Sequence, residues 1–286
     1  MKKHASKIVL VIIFIAGLLI LLYPTISDRW NRYRDDQLKS EYAQTVTTLD
    51  RDDREKEFQA ASIYNKTLIG LPVPDAFSIR ESRKDEEYES LLNVNGDSMM
   101  GYVTIPSINV SLPIYHYTTG EVLEKGAGHL AGSSLPTGGE STHTVISAHR
   151  GLPSAKMFTD INLLEKGDIF QFHILDQLLT YEVDQIREVD PDETSDLEII
   201  EGKDYATLLT CTPYGINTRR LLVRGHRVDN PSVEKEKNAV VHNTALHNPS
   251  ITGELVCGAL GILIAALVVW MTGRWEKKKE RKKSGK

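Results

Sequence analysis

Two stretches without a single charge limit what this chain can become. Residues 8–23 are sixteen consecutive uncharged, almost wholly apolar residues, and residues 255–273 are nineteen more. A helix that crosses a bilayer needs about 20 such residues, within a range of roughly 17–25. The second run meets that length as it stands. The first meets it when Lys7 snorkels and Pro24 to Ile26 extend it. Residues 8–26 and 254–273 are therefore read as two transmembrane helices. The competing reading is a core helix of a soluble domain, where uncharged runs this long are rare. For the first run a cleaved signal peptide is a further alternative, but no small-x-small cleavage site follows Tyr23. Under either reading the chain downstream is exported.

Charge sets the orientation. Lys2, Lys3 and Lys7 precede the first run, and residues 274–286 carry eight basic residues against two acidic ones. Lys and Arg close to span ends stay cytoplasmic. Both termini are thus expected inside, as a tip (1–7) and a basic tail (274–286), with residues 27–253 outside. The formal net charge of −5 conceals a split: the tip contributes +3 and the tail +6, leaving −14 for the exported portion. So acidic a domain argues against nucleic acid as a partner. The basic tail suits anionic membrane lipid.

Between the spans the pattern changes twice. Residues 27–69 contain no Pro or Gly, and Trp30, Tyr33, Leu38, Tyr42, Val46 and Leu49 recur at helical spacing. This predicts helix, with residues 51–56 as a polar break or solvated face. Residues 70–100 are poorly patterned. Pro72 and Pro74 exclude helix and central strand, and the charged run 80–89 is expected to be exposed. From Gly101 to Val228 short alternating segments follow one another, with a turn cluster at 135–140 and a hairpin expected about Asp176-Gln177. About eight short strands with little helix predict a mostly β domain, barrel or sandwich, over residues 101–228. Residues 229–253 read as a polar linker to the second span.

The chemistry gathers around one cysteine. The chain has two, and Cys257 lies within the second span, so it should not meet Cys211 in the exported domain. An exported domain with one cysteine is unusual. An inert buried residue is the bland reading, and the surroundings of Cys211 argue against it. A strand ends there, a turn of Pro213, Tyr214, Gly215, Ile216, Asn217 and Thr218 follows, and a second strand brings back Arg219 and Arg220. A thiol attacks an acyl carbon as thiolate, with an imidazole to move the proton and a cation or N–H group to hold the oxyanion. Period two puts Arg220, Leu222 and Arg224 on one face and Arg219 and Val223 on the other, and Arg220 is assigned to the site. For the base, His149 ends a strand that shares one face with His143, Val145 and Ser147. His129 and His226 are the alternatives. Asp160, Glu165 and Asp168 form no convincing metal set, and no cofactor is expected.

Thr207-Leu-Leu-Thr-Cys211, followed by arginine nine residues after the cysteine, resembles the signature of sortases. Ser147-Ala-His-Arg-Gly151 resembles their histidine motif. The resemblance runs over residues 101–228. It implies an eight-stranded sortase-type β-barrel with N-terminal helices and a lid loop, flanked by the two transmembrane helices, and a catalytic set of Cys211, His149 and Arg220. The 212–218 turn and the second span look like class C, the pilin-polymerising sortases of Gram-positive bacteria. Members of that class carry an Asp-Pro-aromatic lid. The matching place here, within the segment 70–100, reads Asp75-Ala76-Phe77, with alanine where the family has proline. The resemblance implies that Asp75 pairs with Arg220 and that Phe77 covers Cys211.

The activity so implied is transpeptidation. Cys211 would attack the Thr–Gly bond of an LPXTG-like sorting signal, and His149 would protonate the leaving amine. Arg220 would stabilise the oxyanion or position the substrate, and a pilin lysine would resolve the thioacyl intermediate. The implied partners are pilin subunits. A housekeeping-type sortase or a membrane-anchored Cys-His peptidase is the alternative. A non-catalytic anchored β-domain, such as an adhesin, is a further one. Leu135-Pro-Thr-Gly-Gly139 resembles a sorting signal only superficially and is read as a turn.

Overall fold

The computed structural model describes residues 2–73 and 85–230, with side chains from Ile13 onward. The chain divides into two units, one of residues 1–26 and 246–286 and one of residues 27–245. In the first, the described part is helical and belongs to α1 (Lys2–Thr48). Ile13, Ile15, Leu19, Ile20 and Leu21 are all exposed there. This is the one helix among the described residues long and apolar enough to cross a membrane. The expected second span, most of the linker, the basic tail, and Asp75 and Phe77 lie outside the described residues.

The second unit is built on a barrel. Its strands are β1 (Met99–Ile105), β2 (Val110–His116), β3 (Ala127–His129), β4 (Thr142–Ser147), β5 (Ile169–Ile174), β6 (Gln177–Val189), β7 (Asp204–Thr212) and β8 (Arg219–Val228). They close in the order β1-β2-β3-β4-β7-β8-β6-β5, which leaves no sheet edge to pair with another chain. All neighbours are antiparallel except β2–β3 and β4–β7, which are parallel. The β5–β6 hairpin pairs Ile174 with Gln177. Its loop is therefore Leu175-Asp176, one residue earlier than the sequence suggests.

Alternation along the strands builds two apolar clusters. Val103, Ile114, Ile146, Phe170, Phe172, Tyr181, Leu208 and Val223 belong to the main core. Their immediate neighbours Val145, Leu209 and Leu222 belong to a second, smaller cluster with Val73, Leu130, Val189 and Leu197. Consecutive strand residues point to opposite faces, so the second cluster lies on the outer wall of β4, β7 and β8.

Helices pack around the barrel. α1 stops at Thr48 and α2 (Arg51–Thr67) begins after Asp50. Residues 51–56 are thus the opening turns of a second helix. Asp52 and Asp53 sit in its first turn, where the helix dipole favours negative charge. Arg54 donates to the carbonyls of Val46 and Leu49 at 3.1 and 2.5 Å, satisfying groups that the end of α1 would leave bare. Of the predicted stripe, Tyr42 and Val46 are buried. The Tyr42 hydroxyl donates to the Met100 carbonyl at 2.8 Å and accepts from Leu175 N–H at 2.9 Å. Trp30 and Tyr33 are 68% and 59% exposed, because the packed face runs instead through Asn31, Asp35, Leu38 and Tyr42.

Asn65, at the end of α2, is buried and grips the turn before β4. Its Oδ1 accepts from Leu135 N–H at 2.7 Å, and its Nδ2 donates to the Leu135 carbonyl and to Thr137 Oγ1, both at 3.0 Å. The Leu135-Pro-Thr-Gly-Gly139 stretch is therefore a fixed turn, with Gly138 and Gly139 at φ +62° and +108°.

In the charged run before the barrel, Asp85, Glu86 and Glu87 are exposed as expected, and Tyr88 is not. Residues 86–90 form a short helix, α3 (Glu86–Ser90), with Asp85 accepting from Tyr88 N–H at its start. Tyr88 is 1% exposed, and its hydroxyl donates to His129 Nδ1 at 2.8 Å. One aromatic residue among acids anchors a segment that charge alone would leave in solvent.

Candidate active site

The parallel register of β4 on β7 locates the histidine. Thr142 lies opposite Asp204, and the pairing runs in step to Ser147 opposite Leu209. It continues past the end of β4: Ala148 N–H donates to the Leu209 carbonyl at 3.2 Å and Thr210 Oγ1 to the Ala148 carbonyl at 2.8 Å. One step beyond the histidine, Arg150 Nη1 donates to Thr212 Oγ1 at 3.1 Å. His149 therefore falls opposite Cys211. On the other side of β7, Cys211 pairs in register with Arg220 of β8. With His149 just past the end of β4, the three residues form one row on the outer face that carries the second cluster.

Cys211 is a reduced, half-buried thiol. Arg220 is 9% exposed, and its Nη1 stands 3.7 Å from Cys211 Sγ. His149 is partly buried, and that burial pushes its pKa below the usual 6.5, while the Glu124 carboxylate pulls the other way. The His149 carbonyl accepts from Phe158 N–H at 3.0 Å, which ties down the loop after it. Arg219 faces away from the row. It pairs at the surface with Asp190 at 3.3 Å and with Glu188 at 3.7 Å.

The alternative histidines sit elsewhere. His129 is wholly buried: its Nε2–H donates to the Ser134 carbonyl at 2.8 Å, Nδ1 accepts from Tyr88, and burial pushes its pKa down to about 3. His226 pairs with Tyr205 near the far end of the β7–β8 ladder.

Two further residues, Arg150 and His143, support the row in roles that the sequence did not assign to them. Arg150 bonds the Thr159 carbonyl at 3.2 Å as well as Thr212, and Thr212 Oγ1 donates to Glu188 Oε1 at 3.3 Å. These bonds fasten the ends of β4, β6 and β7 together; the only sequence signal was adjacency to His149. His143 lies on the same face as His149. Its Nδ1–H donates to the Glu198 carbonyl at 2.9 Å, and Nε2 accepts from Thr207 Oγ1 at 2.7 Å. It thereby holds the β6–β7 connection, with Leu197, against the outer wall. Gly151 follows at φ +82°, and a Cβ there would meet the Tyr214 ring at 2.9 Å. The turn after the histidine and the turn after the cysteine are thus in direct contact.

A thiol flanked by an imidazole and a guanidinium brings together a nucleophile, a proton carrier and an anion donor. A family model described as "Sortase domain" matches residues 103–228. The structure of sortase C from Streptococcus pneumoniae is similar at 45% identity and a TM-score of 0.65, covering 68% of this chain and 97% of that one. A pilus-related sortase C of Group B Streptococcus is 41% identical, with a TM-score of 0.62 over 67% of this chain and 97% of its own. Sortase A of Bacillus anthracis is 25% identical over 229 residues, which are 79% of this chain and 96% of that protein. Barrel, thiol and relatives place the chain among the cysteine transpeptidases. It belongs to the sortase family.

Proposed function

We propose that the chain is a class C sortase that polymerises pilins, with Cys211, His149 and Arg220 as its catalytic set. The observation that carries the assignment is the row that Cys211 and Arg220 form across β7 and β8, extended to His149 just past the end of β4 by the bonds of Ala148 and Arg150. The Cys211 thiolate attacks the threonine carbonyl of an LPXTG-like sorting signal, and a C–S bond forms. The Arg220 guanidinium donates to the acyl oxygen as it becomes an oxyanion. The Thr–Gly C–N bond breaks, and the glycine amine leaves with a proton from His149. A pilin lysine amine then gives a proton to His149 and attacks the thioester, releasing the Cys211 thiolate. The pilus-related relative of Group B Streptococcus supports pilins as the substrate.

The proposal includes an address and a guard. Two spans, at 8–26 and 254–273, hold residues 27–253 outside the membrane, with basic ends inside. Asp75 masks Arg220, and Phe77 covers Cys211 as a lid. Incubation with an LPXTG-type peptide is expected to leave an acyl adduct on Cys211, detected by mass spectrometry and absent in Cys211→Ala. No adduct in a lid-free form would overturn the catalytic assignment and favour an inert anchored β-domain. Phe77→Ala is expected to speed alkylation of Cys211; an unchanged rate removes the lid from the proposal.

A further inference from the structure

One polar atom beside the catalytic row has no partner. Ser147 is wholly buried, and its hydroxyl makes no hydrogen bond. The other orphaned side-chain atoms among the described residues, such as Asn95 Oδ1 and Ser107 Oγ, lie off the catalytic strands. Ser147 is the last residue of β4, opposite Leu209 on β7 and Gly128 on β3. It shares a face with Val145 and His149. Ile146 and Ala148 on either side point into the main core, while Val145 lines the outer cluster. The Ser147 hydroxyl therefore faces the outer wall, in a floor otherwise made of Leu130, Val145, Leu209 and Leu222.

A buried hydroxyl without a partner costs about 1–3 kcal/mol relative to a satisfied one, and alanine would fill the same place without that cost. The position relative to the reacting thiol supplies a reason for it. Two residues along a strand span roughly 6.6 Å, so Ser147 stands one row below His149 and Cys211. An extended peptide whose scissile carbonyl lies at Cys211 passes that row within about two residues of the bond to be cut. Each peptide unit there carries a carbonyl and, except at proline, an N–H group that must find partners once it leaves water for an apolar surface.

We infer that Ser147 is a substrate-positioning residue, whose hydroxyl bonds the backbone of the bound sorting signal within two residues of the scissile carbonyl. This rests on the sorting-signal reading above. Ser147 is buried in this structure, so the bond forms only on an outer wall opened to the peptide. It holds the acyl segment in register with Cys211, and no proton or electron pair moves through it.

The test uses the full chain with an LPXTG-type peptide, comparing wild type, Ser147→Ala and Ser147→Thr. Ser147→Ala is expected to lower kcat/KM about 3- to 10-fold, the worth of one hydrogen bond to the substrate, while iodoacetamide alkylates Cys211 at the wild-type rate. Its thermal midpoint is expected to equal or exceed that of wild type, because an orphaned group has been removed. Ser147→Thr, which keeps the hydroxyl, is expected to retain more kcat/KM than Ser147→Ala. An active wild type with Ser147→Ala unchanged in kcat/KM overturns this inference alone. A kcat/KM loss matched by a lowered thermal midpoint and faster alkylation overturns it in favour of a structural role. A wild type that forms no acyl adduct overturns the sorting-signal reading and this inference with it.

Discussion

Acid is expected to unfold this barrel through two histidines that the proposed catalytic row does not use. His129 and His143 are both essentially without solvent contact. Their hydrogen bonds select the neutral ring, with one nitrogen donating to a carbonyl and the other accepting from a hydroxyl. Burial pushes their pKa values down to about 3 and about 4. In the unfolded chain both titrate near 6.5, so between 6.5 and those lowered values only the unfolded state takes up protons. Their contribution to stability is complete above pH 6.5 and is lost as pH falls through that window. At about pH 5 each neutral ring has forfeited about 2 kcal/mol, so the pair removes about 4 kcal/mol. That is a large share of the roughly 5–15 kcal/mol that holds a domain folded. His173, also lowered by burial, acts in the same direction. Buried Asp35 and half-buried Asp204, whose pKa values are raised, oppose it by holding protons more readily in the folded state. The measurement is urea unfolding of the purified chain, followed by circular dichroism, at several pH values between about 7.5 and 5. His143→Asn isolates the effect. Whatever it costs at neutral pH, its stability should fall with acid by about one proton, or about 1.4 kcal/mol per pH unit, less steeply than wild type. Equal slopes in the two proteins would refute the reasoning.

Other outcomes follow from single contacts. Arg220→Lys keeps the charge but loses the planar fork that stands at the thiol and is proposed to reach the acyl oxygen; peptide turnover should fall about 10²-fold, and a loss under about 3-fold would remove Arg220 from the oxyanion role. Asn65→Ala orphans the Leu135 N–H, while the Leu135 carbonyl keeps Thr137 N–H at 2.7 Å and Thr144 Oγ1 at 3.3 Å. The cost should be about 3 kcal/mol by urea unfolding, and a change below about 0.5 kcal/mol would show that the turn finds other partners.

What could be read from sequence followed from local periodicity. Alternation along 143–149 and 219–228 put His149 and Arg220 on their correct faces, because a strand assigns faces by parity and needs no knowledge of its neighbours. The hairpin arginine was legible for the same reason, since nine residues and one turn bring Arg220 back to Cys211. The partnership of β4 with β7 was not legible: it is a parallel pairing of residues 62 positions apart, and no local pattern encodes it. The orphaned hydroxyl of Ser147 and the anchoring role of His143 depend on that pairing and were equally hidden. Tyr88 was misplaced because nine of the ten residues from Arg80 to Glu89 say nothing of the pocket that receives it. Trp30 and Tyr33 erred the other way. A stripe drawn at spacings of three to five can drift off the buried face within two turns, and Asp35, a carboxylate, sits on that face instead.

The row of three is assembled from chain segments of very different reach. Arg220 is nine positions from Cys211, and the histidine stands opposite it from 62 positions away. A nascent chain that has formed only the β7–β8 hairpin holds a cation at its thiol but no proton carrier. Contacts across long loops form late because their closure entropy comes first. The reactive constellation is therefore a property of the finished barrel. Before β4 docks on β7, Cys211 lacks the imidazole that the proposed acyl transfer uses, so the appearance of acyl-transfer competence reports that these two strands have paired.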